Sequence, residues 1–392
     1  MKPRKIRRHY SPKRRNPYRR RQNAWKTVGA VVGCIAIIAL GVLAGKWLFD
    51  GVKPPVSDPP SGSTSSSSST GTTTTTQTPP TQTPADATPQ LEGVKAFYLP
   101  HTALNNTEAF KKTLADAKKA GFNGVVLELK DSVGRVYFQT TAKAAKDFGA
   151  VQANAVSKEQ LQTLLAACEE QEMLAVGYLY AFYDRTYRSM DAIIEYYAEG
   201  SMTDWLDSAP GRGKTWLNPY KPAARSYLVG LGEELQELGF TALIYDGVQF
   251  PFQRQAAFFD NSLSNQLKPE MAPLQAFVEE AEAALSKCQL SICCTGTAAT
   301  GTGTDIYGSD NPLKLGSRLI SPLLPATGTK AQLEKIVFRA EELKADAPAL
   351  LPWLAIDGLN AKQIQANIGA VGDLPYVLYN PAGNYDFTAL SN

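Results

Sequence analysis

Eight short apolar runs of strand length follow one another from residue 93 onward, most of them separated by stretches whose apolar residues recur at helical spacing. The runs are "VKAFYLP" (94–100), "GVVLELKD" (124–131), "LAVGYLYAF" (174–182), "TALIYDGVQF" (241–250), "LSICCTG" (290–296), "RLISPLLP" (318–325), "ALLPWLAID" (349–357) and "PYVLYN" (375–380). Between them lie "NTEAFKKTLADAKKAG", "SKEQLQTLLAACEEQ", "AARSYLVGLGEELQELG", "APLQAFVEEAEAALSK", "TKAQLEKIVFRAEELKAD" and "NAKQIQANIGAVG". Each has the 3.6-residue apolar period, and several end in Gly. Eight strands with intervening helices over residues 93–392 is the count of a (β/α)8, TIM-type barrel, which needs around 250 residues. A doubly wound open sheet would carry a Gly-rich first turn, and "YLPHTALNN" has none. The final "PAGNYDFTALSN" is too short for a full eighth helix, so another segment closes the barrel or a partner covers its last face.

The first 92 residues follow different rules. Of the 40 Lys and Arg, 12 lie in residues 1–26, which hold no Asp or Glu; the rest of the chain has 28 basic against 37 acidic residues, a formal charge of −9. Residues 27–45 carry no charge, and at 1.5 Å per residue they span roughly 28 Å, close to the bilayer's hydrocarbon thickness. Trp25 and Trp47 flank the run as interfacial aromatics do. We therefore expect a basic cytoplasmic tail (1–26), a single transmembrane anchor (27–49), a disordered Ser/Thr/Pro-rich linker (50–92) and an extracellular barrel domain (93–392). A cleaved signal peptide is the competing reading, for which the apolar run is long. The basic tail reads as a topology signal rather than a nucleic-acid surface.

Histidine and cysteine usage narrows the chemistry. Only His9 and His101 exist, so a Ser-His-Asp triad or a His-rich metal site is not expected, and no cofactor is. Cys168, Cys288, Cys293 and Cys294 lack metal-ligand spacing and read as buried thiols; Cys293 and Cys294, adjacent on a strand, point to opposite faces. There is no Asp-x-Asp pair after the linker, which argues against a metal-dependent sugar-nucleotide transferase. "SAPGRGKTW" (208–216) has Ser208 where a phosphate-binding loop needs its first Gly, and "TGTAATGTGT" (295–304) has no Lys.

In a (β/α)8 barrel the active site lies where strands end and βα loops begin. Strand ends here collect the carboxylates Glu128, Asp131, Asp184, Asp246, Asp305 and Asp357 with His101, Lys130, Tyr180, Gln249, Ser321, Trp353, Tyr379 and Asn380. Aromatic faces, amides and carboxylates in one mouth are what a sugar cleft needs. Glu128 and Lys130, two apart, are expected on one face, paired or facing a polar cavity; Asp131 points the other way.

The blocks "GFNGVVLELKDSVGRVYF", "TWLNPYKPAARSYLVGLGEELQELGFTALIYDGVQFPF", "LLPWLAIDG" and "QIQANIGAVGDLPYVLYN", in that order, resemble a family of glycoside hydrolase-like barrels of Gram-positive bacteria, long catalogued as a domain of unknown function. The resemblance covers 93–386 and implies a secreted or membrane-anchored barrel acting on polysaccharide, with a catalytic carboxylate at Asp246. The family's usual Tyr-Ile-Arg-Phe-Pro after that Asp is here Gly247 to Pro251, without the Arg. Its fifth-strand Asp falls on Cys293, or on Asp305 if "GTAATGTG" is an insertion, and its sixth-strand ending is replaced by "SPLLPATGT".

A glycosidase of this kind needs two carboxyls, roughly 5–5.5 Å apart if retaining and 6.5–9.5 Å if inverting. Asp246 is one; Asp305, Asp357 and Glu128 are the candidates for the other. Lys130, Asp131, His101, Tyr180, Gln249, Trp353, Tyr379 and Asn380 are expected to bind substrate. Hydrolysis of a cell-envelope or environmental polysaccharide is the leading reading, and a degenerate barrel that holds glycan or an envelope partner without cutting is the alternative.

Overall fold

Eight parallel strands close on themselves in the computed structural model, which describes residues 90–198, 201–207, 213–252, 270–301 and 304–391. The strands are β1 (Lys95–Leu99), β2 (Gly124–Lys130), β3 (Leu174–Tyr180), β4 (Ala242–Asp246), β5 (Gln289–Thr295), β6 (Leu319–Leu324), β7 (Trp353–Ala355) and β8 (Tyr376–Tyr379). Each pairs with the next, and β8 returns to β1 through Lys95↔Tyr376, Ala96↔Val377 and Phe97↔Leu378. The expected tail and anchor, and the linker as far as residue 89, lie outside the described residues. Among those described, no helix is long and apolar enough to cross a membrane.

The period-2 alternation of each strand sorts its side chains into two cores. Ala96, Tyr98, Val126, Val176, Tyr178, Ala242, Ile244, Cys293, Leu319, Trp353 and Val377 fill the barrel interior. Their neighbours Phe97, Val125, Leu127, Leu179, Leu243, Tyr245, Ile292, Leu354 and Leu378 face the helices. Leu91, on a turn before β1, joins the inner set, and its N–H donates to Gln289 Oε1 (2.7 Å), so the chain's entry plugs the N-terminal end. All four cysteines of the barrel are free thiols, with Cys293 inside and Cys294 outside, as their adjacency predicts.

The main helices are α1 (Thr107–Lys119), α2 (Lys158–Glu170), α3 (Pro222–Leu238), α4 (Ala272–Ala284), α5 (Gly296–Thr300), α6 (Thr329–Glu341), α7 (Ala361–Val371) and α8 (Phe387–Leu390), with a further five-residue helix, Lys143–Asp147, before α2. Side-chain caps start several of them: Asn106 on α1, Ser157 on α2, and on α7 a capping box of Asn360 with Gln363. The six long helices are those the sequence periodicity predicts. The chain's own C-terminal segment covers the last barrel face: Phe387 and Leu390 of α8 are buried, and Phe387 meets Phe97 at 5.0 Å between ring centres. The Tyr385 hydroxyl bridges the carbonyls of Tyr98 and Leu378 (2.8 and 3.1 Å), pinning this segment across the β8–β1 seam.

Several elements were not expected. Val136–Phe138 and Val151–Val156 extend the sheet beyond the end of β2, and Glu195–Ala198 with Ser201–Asp204 forms a hairpin between β3 and α3. The seventh run is broken: Ala349–Leu350 pairs with β6, then Pro352, which has no N–H, interrupts before β7.

A register shift between Glu128 and Lys130 overturns the expectation that these two share a face. Glu128 aligns with inward-facing Tyr178, whereas Lys130 aligns with Leu179 and turns out of the barrel interior. There Lys130, fully buried, pairs with the equally buried Asp184 (2.9 Å) and donates to the Tyr180 carbonyl (2.7 Å). The other Asp184 oxygen accepts from the backbone and hydroxyl of Thr186 (both 2.7 Å). Gly134 packs so tightly on this carboxyl that a Cβ would stand 2.0 Å from Oδ1. Removing one partner of such a pair leaves an uncompensated buried charge. Asp184→Asn is therefore expected to lower the unfolding free energy by about 3–5 kcal/mol in chemical denaturation, whereas Lys130→Met with Asp184→Leu recovers most of it. A loss from Asp184→Asn near that of an ordinary surface substitution would refute this role.

Candidate active site

Asp246 ends β4 on the inner face at the C-terminal mouth of the barrel, half-buried. Its Oδ2 accepts from the Tyr178 hydroxyl (2.6 Å) and its Oδ1 from the Gly247 N–H (2.6 Å). Loss of hydration raises its carboxyl above the usual carboxylate range, against the opposing pull of those two donors. The Asp246 charge is felt by Tyr178, Tyr180 and Tyr307 and by the thiols of Cys293 and Cys294, all of which burial pushes up and keeps neutral.

Glu128 stands on the same inner face, two strands away. Its Oε2 is hydrogen-bonded to His101 Nδ1 (2.6 Å) and accepts from the His101 backbone N–H (3.1 Å). Burial, followed by the charge and hydrogen bond of Glu128, drives the Tyr98 phenol far above its ordinary value. His101 lies flat on Tyr137, with ring centres 3.6 Å apart and planes 5° from parallel. The Tyr137 hydroxyl donates to Asp131 Oδ2 (2.9 Å), where Arg135 Nε also bonds (2.7 Å). Asp131 Oδ1 accepts from the N–H groups of Val133 and Arg135, so Asp131 is occupied in shaping its own loop.

Between the two carboxylates runs an aromatic wall. Tyr98 meets Tyr178 edge-on at 5.7 Å and Tyr379 at 5.1 Å, and Trp353 lies 5.5 Å from both Tyr178 and Tyr379. Burial pushes the Tyr379 phenol up to about 12, with the charges of Asp246 and then Glu128 adding to it. That one ring feels both carboxylates places them around a shared space. Glu128 is level with Tyr178 and Asp246 with Tyr180. Strand spacing near 4.8 Å and a rise near 3.3 Å put their Cα atoms about 11–12 Å apart. From that distance two inward-leaning side chains can bring their carboxyls into the range of about 5–9.5 Å that glycosidase pairs use.

The other expected residues divide. Tyr180 and Trp353 belong to the inner wall; Trp353 is 2% exposed, and its indole N–H meets no acceptor among the described residues. Asp305 lies exposed on the turn Asp305–Tyr307, where its Oδ1 accepts from Ser309 Oγ (3.1 Å), and Asp357 is exposed beyond β7. Neither lies within a barrel strand. Lys130 and Asp184 are spent on each other, and Ser321 bonds Ser291 (2.6 Å) inside the barrel. Gln249 is buried, its Oε1 accepting from Tyr307 (3.3 Å). Asn380 holds the turn after β8 and lines a cleft of about 700 Å3 bounded by α1, α7, α8 and the loops after β7 and β8. Sequence reasoning missed Tyr178, which holds Asp246, Tyr98, whose phenol feels the Glu128 charge, and Leu323, an inward residue at the mouth that is 38% exposed. The available signal was parity: Tyr98 precedes the strand end by the same interval as other inner residues, and Tyr178 is two before Tyr180.

Residues 96–308 match the model of a family described as a putative glycosyl hydrolase domain. No curated protein matches the chain. Among solved structures, the glycoside hydrolase domain of PgaB (BpsB) from Bordetella bronchiseptica is similar over 76% of this chain and 98% of that one, at 10% identity and a TM-score of 0.57. A chitobiase of Flavobacterium johnsoniae is similar over 76% of this chain but 47% of its own length, at 13% identity and a TM-score of 0.50. A hypothetical protein from Ruminiclostridium thermocellum ATCC 27405 is 21% identical over 50% of this chain and 96% of that one, with a TM-score of 0.42. At these identities the likeness is one of fold.

Gly247 stands where only glycine fits. Its φ is +66°, and a Cβ would stand 2.2 Å from Tyr180 Cε1, so the ring that roofs Asp246 occupies the space a side chain would take. Gly247→Ala combines a left-handed backbone with a clash and is expected to cost about 1–3 kcal/mol of stability and to displace Tyr180. Unchanged melting and unchanged tyrosine fluorescence in that variant would refute the packing described.

Proposed function

The chain belongs to the family of putative glycosyl hydrolase domains, and from that premise we propose that it hydrolyses glycosidic bonds of a cell-envelope or environmental polysaccharide, with Asp246 and Glu128 as its carboxylate pair. The observation that carries this reading is their common position on the inner face at the mouth, Asp246 held by Tyr178 and Glu128 by His101, with Tyr379 feeling both charges. Aromatic rings and a partly exposed Leu323 supply apolar surface against which pyranose faces pack. The charge and hydropathy pattern of residues 1–92 supports a protein tethered to the cell membrane by 27–49, with its barrel outside on the linker.

The test is release of reducing ends from a panel of envelope and environmental polysaccharides by the full-length protein. Asp246→Asn and Glu128→Gln are each expected to lower the rate by about 10²–10⁴-fold, and Asp305→Asn and Asp357→Asn to retain most of it. Glycan retention by the wild type with no cleavage of any polysaccharide would replace hydrolysis with the binding reading. For the tether, the full chain should sediment with membranes and a variant lacking 27–49 should not; a soluble full-length chain defeats that part.

A further inference from the structure

His101 is one of only two histidines in the chain, and its ring is fixed on two sides. Its Nδ1 stands 2.6 Å from Glu128 Oε2, the oxygen that also accepts from the His101 backbone N–H. Its flat face lies on the Tyr137 ring at 3.6 Å, and the Tyr137 hydroxyl is anchored on Asp131. Asp131 is in turn held by Arg135 and by the N–H groups of its own loop. The imidazole can therefore neither swing off Glu128 nor tip out of its plane without breaking a contact. Its second nitrogen is not tied down. The His101 side chain is 24% exposed, and among the described residues no group bonds Nε2. His101 opens the turn after β1, at the mouth where Glu128 and Asp246 stand.

A carboxylate offers only lone pairs, so a neutral imidazole bonded to one through Nδ1 carries its hydrogen there and its own lone pair on Nε2. A ring nitrogen free to take a proton, on a ring oriented by a third group, is the arrangement of a general base and its orienter. We propose that His101 Nε2 is the base that activates water in this site, and that Glu128 acts through it by setting the tautomer and aiming the ring. Within the hydrolase reading, on which this role rests, both carboxylates stay indispensable. Glu128 becomes a positioning residue, and His101 the catalytic group on its side of the cleft. In the step, Nε2 takes a proton from a water as the water oxygen bonds the anomeric carbon. The bond from that carbon to the glycosidic oxygen breaks, the bonding pair leaves on the oxygen, and the other carboxyl of the pair, Asp246, protonates it. Solvent carries the proton from the imidazolium back to the Asp246 carboxylate, so one water is consumed for each bond cut. No sugar becomes attached to Glu128, whose Oε2 is occupied by His101, so the reaction is a single displacement and the product anomer is inverted.

Three measurements on the full-length protein test this dyad and separate its failure from failure of the hydrolase reading. The first needs no turnover. With only His9 and His101 in the chain, nitrogen-15 spectra of the imidazoles contain two sets of ring signals, and His9→Gln assigns them. The neutral His101 ring is expected to carry its hydrogen on Nδ1 in the wild type and to shift in Glu128→Gln toward the Nε2–H form that a free imidazole prefers. Nε2–H in the wild type overturns the dyad even if glycan is cleaved. Nδ1–H in a protein that cleaves no polysaccharide upholds the pairing and sinks the hydrolase reading, and the base role with it. The second measures kcat and KM on the polysaccharide the wild type cleaves. His101→Phe keeps a ring to stack on Tyr137 but has no nitrogen; it is expected to melt near the wild type and to lower kcat by about 10²–10⁴-fold with little change in KM. Adding Glu128→Gln should cost little more, since groups that act as a unit are not additive. His101→Asn, whose amide can bond Glu128 but is no base, should be as slow as His101→Phe. Near-wild-type kcat in either His101 variant, beside a slow Glu128→Gln, gives the base role to Glu128 and leaves hydrolysis intact. The third reads the anomer of the first product by proton NMR: inversion is expected, and retention overturns the single displacement and the base with it.

Discussion

Pairing of β8 back onto β1 is the contact on which everything else rests. An open sheet would leave two edges and let its inner faces diverge; the closed ladder makes every second residue of eight strands point at one axis. Closure is a matter of register as well as count. Ala96 is the partner of both Val377 and Gly124, so β1 is held from both sides at one level. Tyr385 ties the seam from above, and Phe387 packs on it from outside.

The converging inner faces carry a gradient from apolar to aromatic to charged along the axis. Leu91, Val94 and Ala96 lie toward the N-terminal end, the rings of Tyr98, Tyr178 and Trp353 above them, and Glu128 and Asp246 at the top. Each carboxylate costs free energy there, and each is offset locally by hydrogen bonds, Asp246 accepting from the Tyr178 phenol of the layer below and Glu128 from the His101 backbone N–H. The aromatic layer thus serves as both the lid of the core and the floor of the site. A tyrosine suits that position because its ring is apolar and its hydroxyl is not.

Much of this was legible in the sequence because it depends on local pattern. Period-2 runs gave the strands, 3.6-residue spacing gave the six long helices, and Asp246 at the end of an apolar run was correctly placed at the mouth. What could not be read depends on residues distant in the chain. The shift that separates Glu128 from Lys130 is stabilised by Asp184, more than fifty positions along, so parity alone misassigned Lys130. Tyr98 and Tyr178 looked like core aromatics because, in "AFYL" and "VGYLY", a ring that packs and a ring whose hydroxyl bonds a carboxylate are written alike. Asp305, Asp357 and Glu128 were indistinguishable as partners for Asp246, since exposure is decided by the loops that carry the first two.

The residues after β4 shape the surroundings of Asp246 together. Gly247 makes room for the Tyr180 ring, which feels the Asp246 charge. Gln249 is buried and bonds Tyr307, itself close enough to Asp246 to feel its charge. A guanidinium at 249 would bring a positive charge into that neighbourhood; an amide brings none. Cys293, a buried thiol held neutral, likewise brings no negative charge there. A bonded cation would lower the proton affinity of Asp246, and a neighbouring carboxylate would raise it. Among the described residues neither bonds it, and desolvation outweighs the pull of its two donors, so the direction is upward.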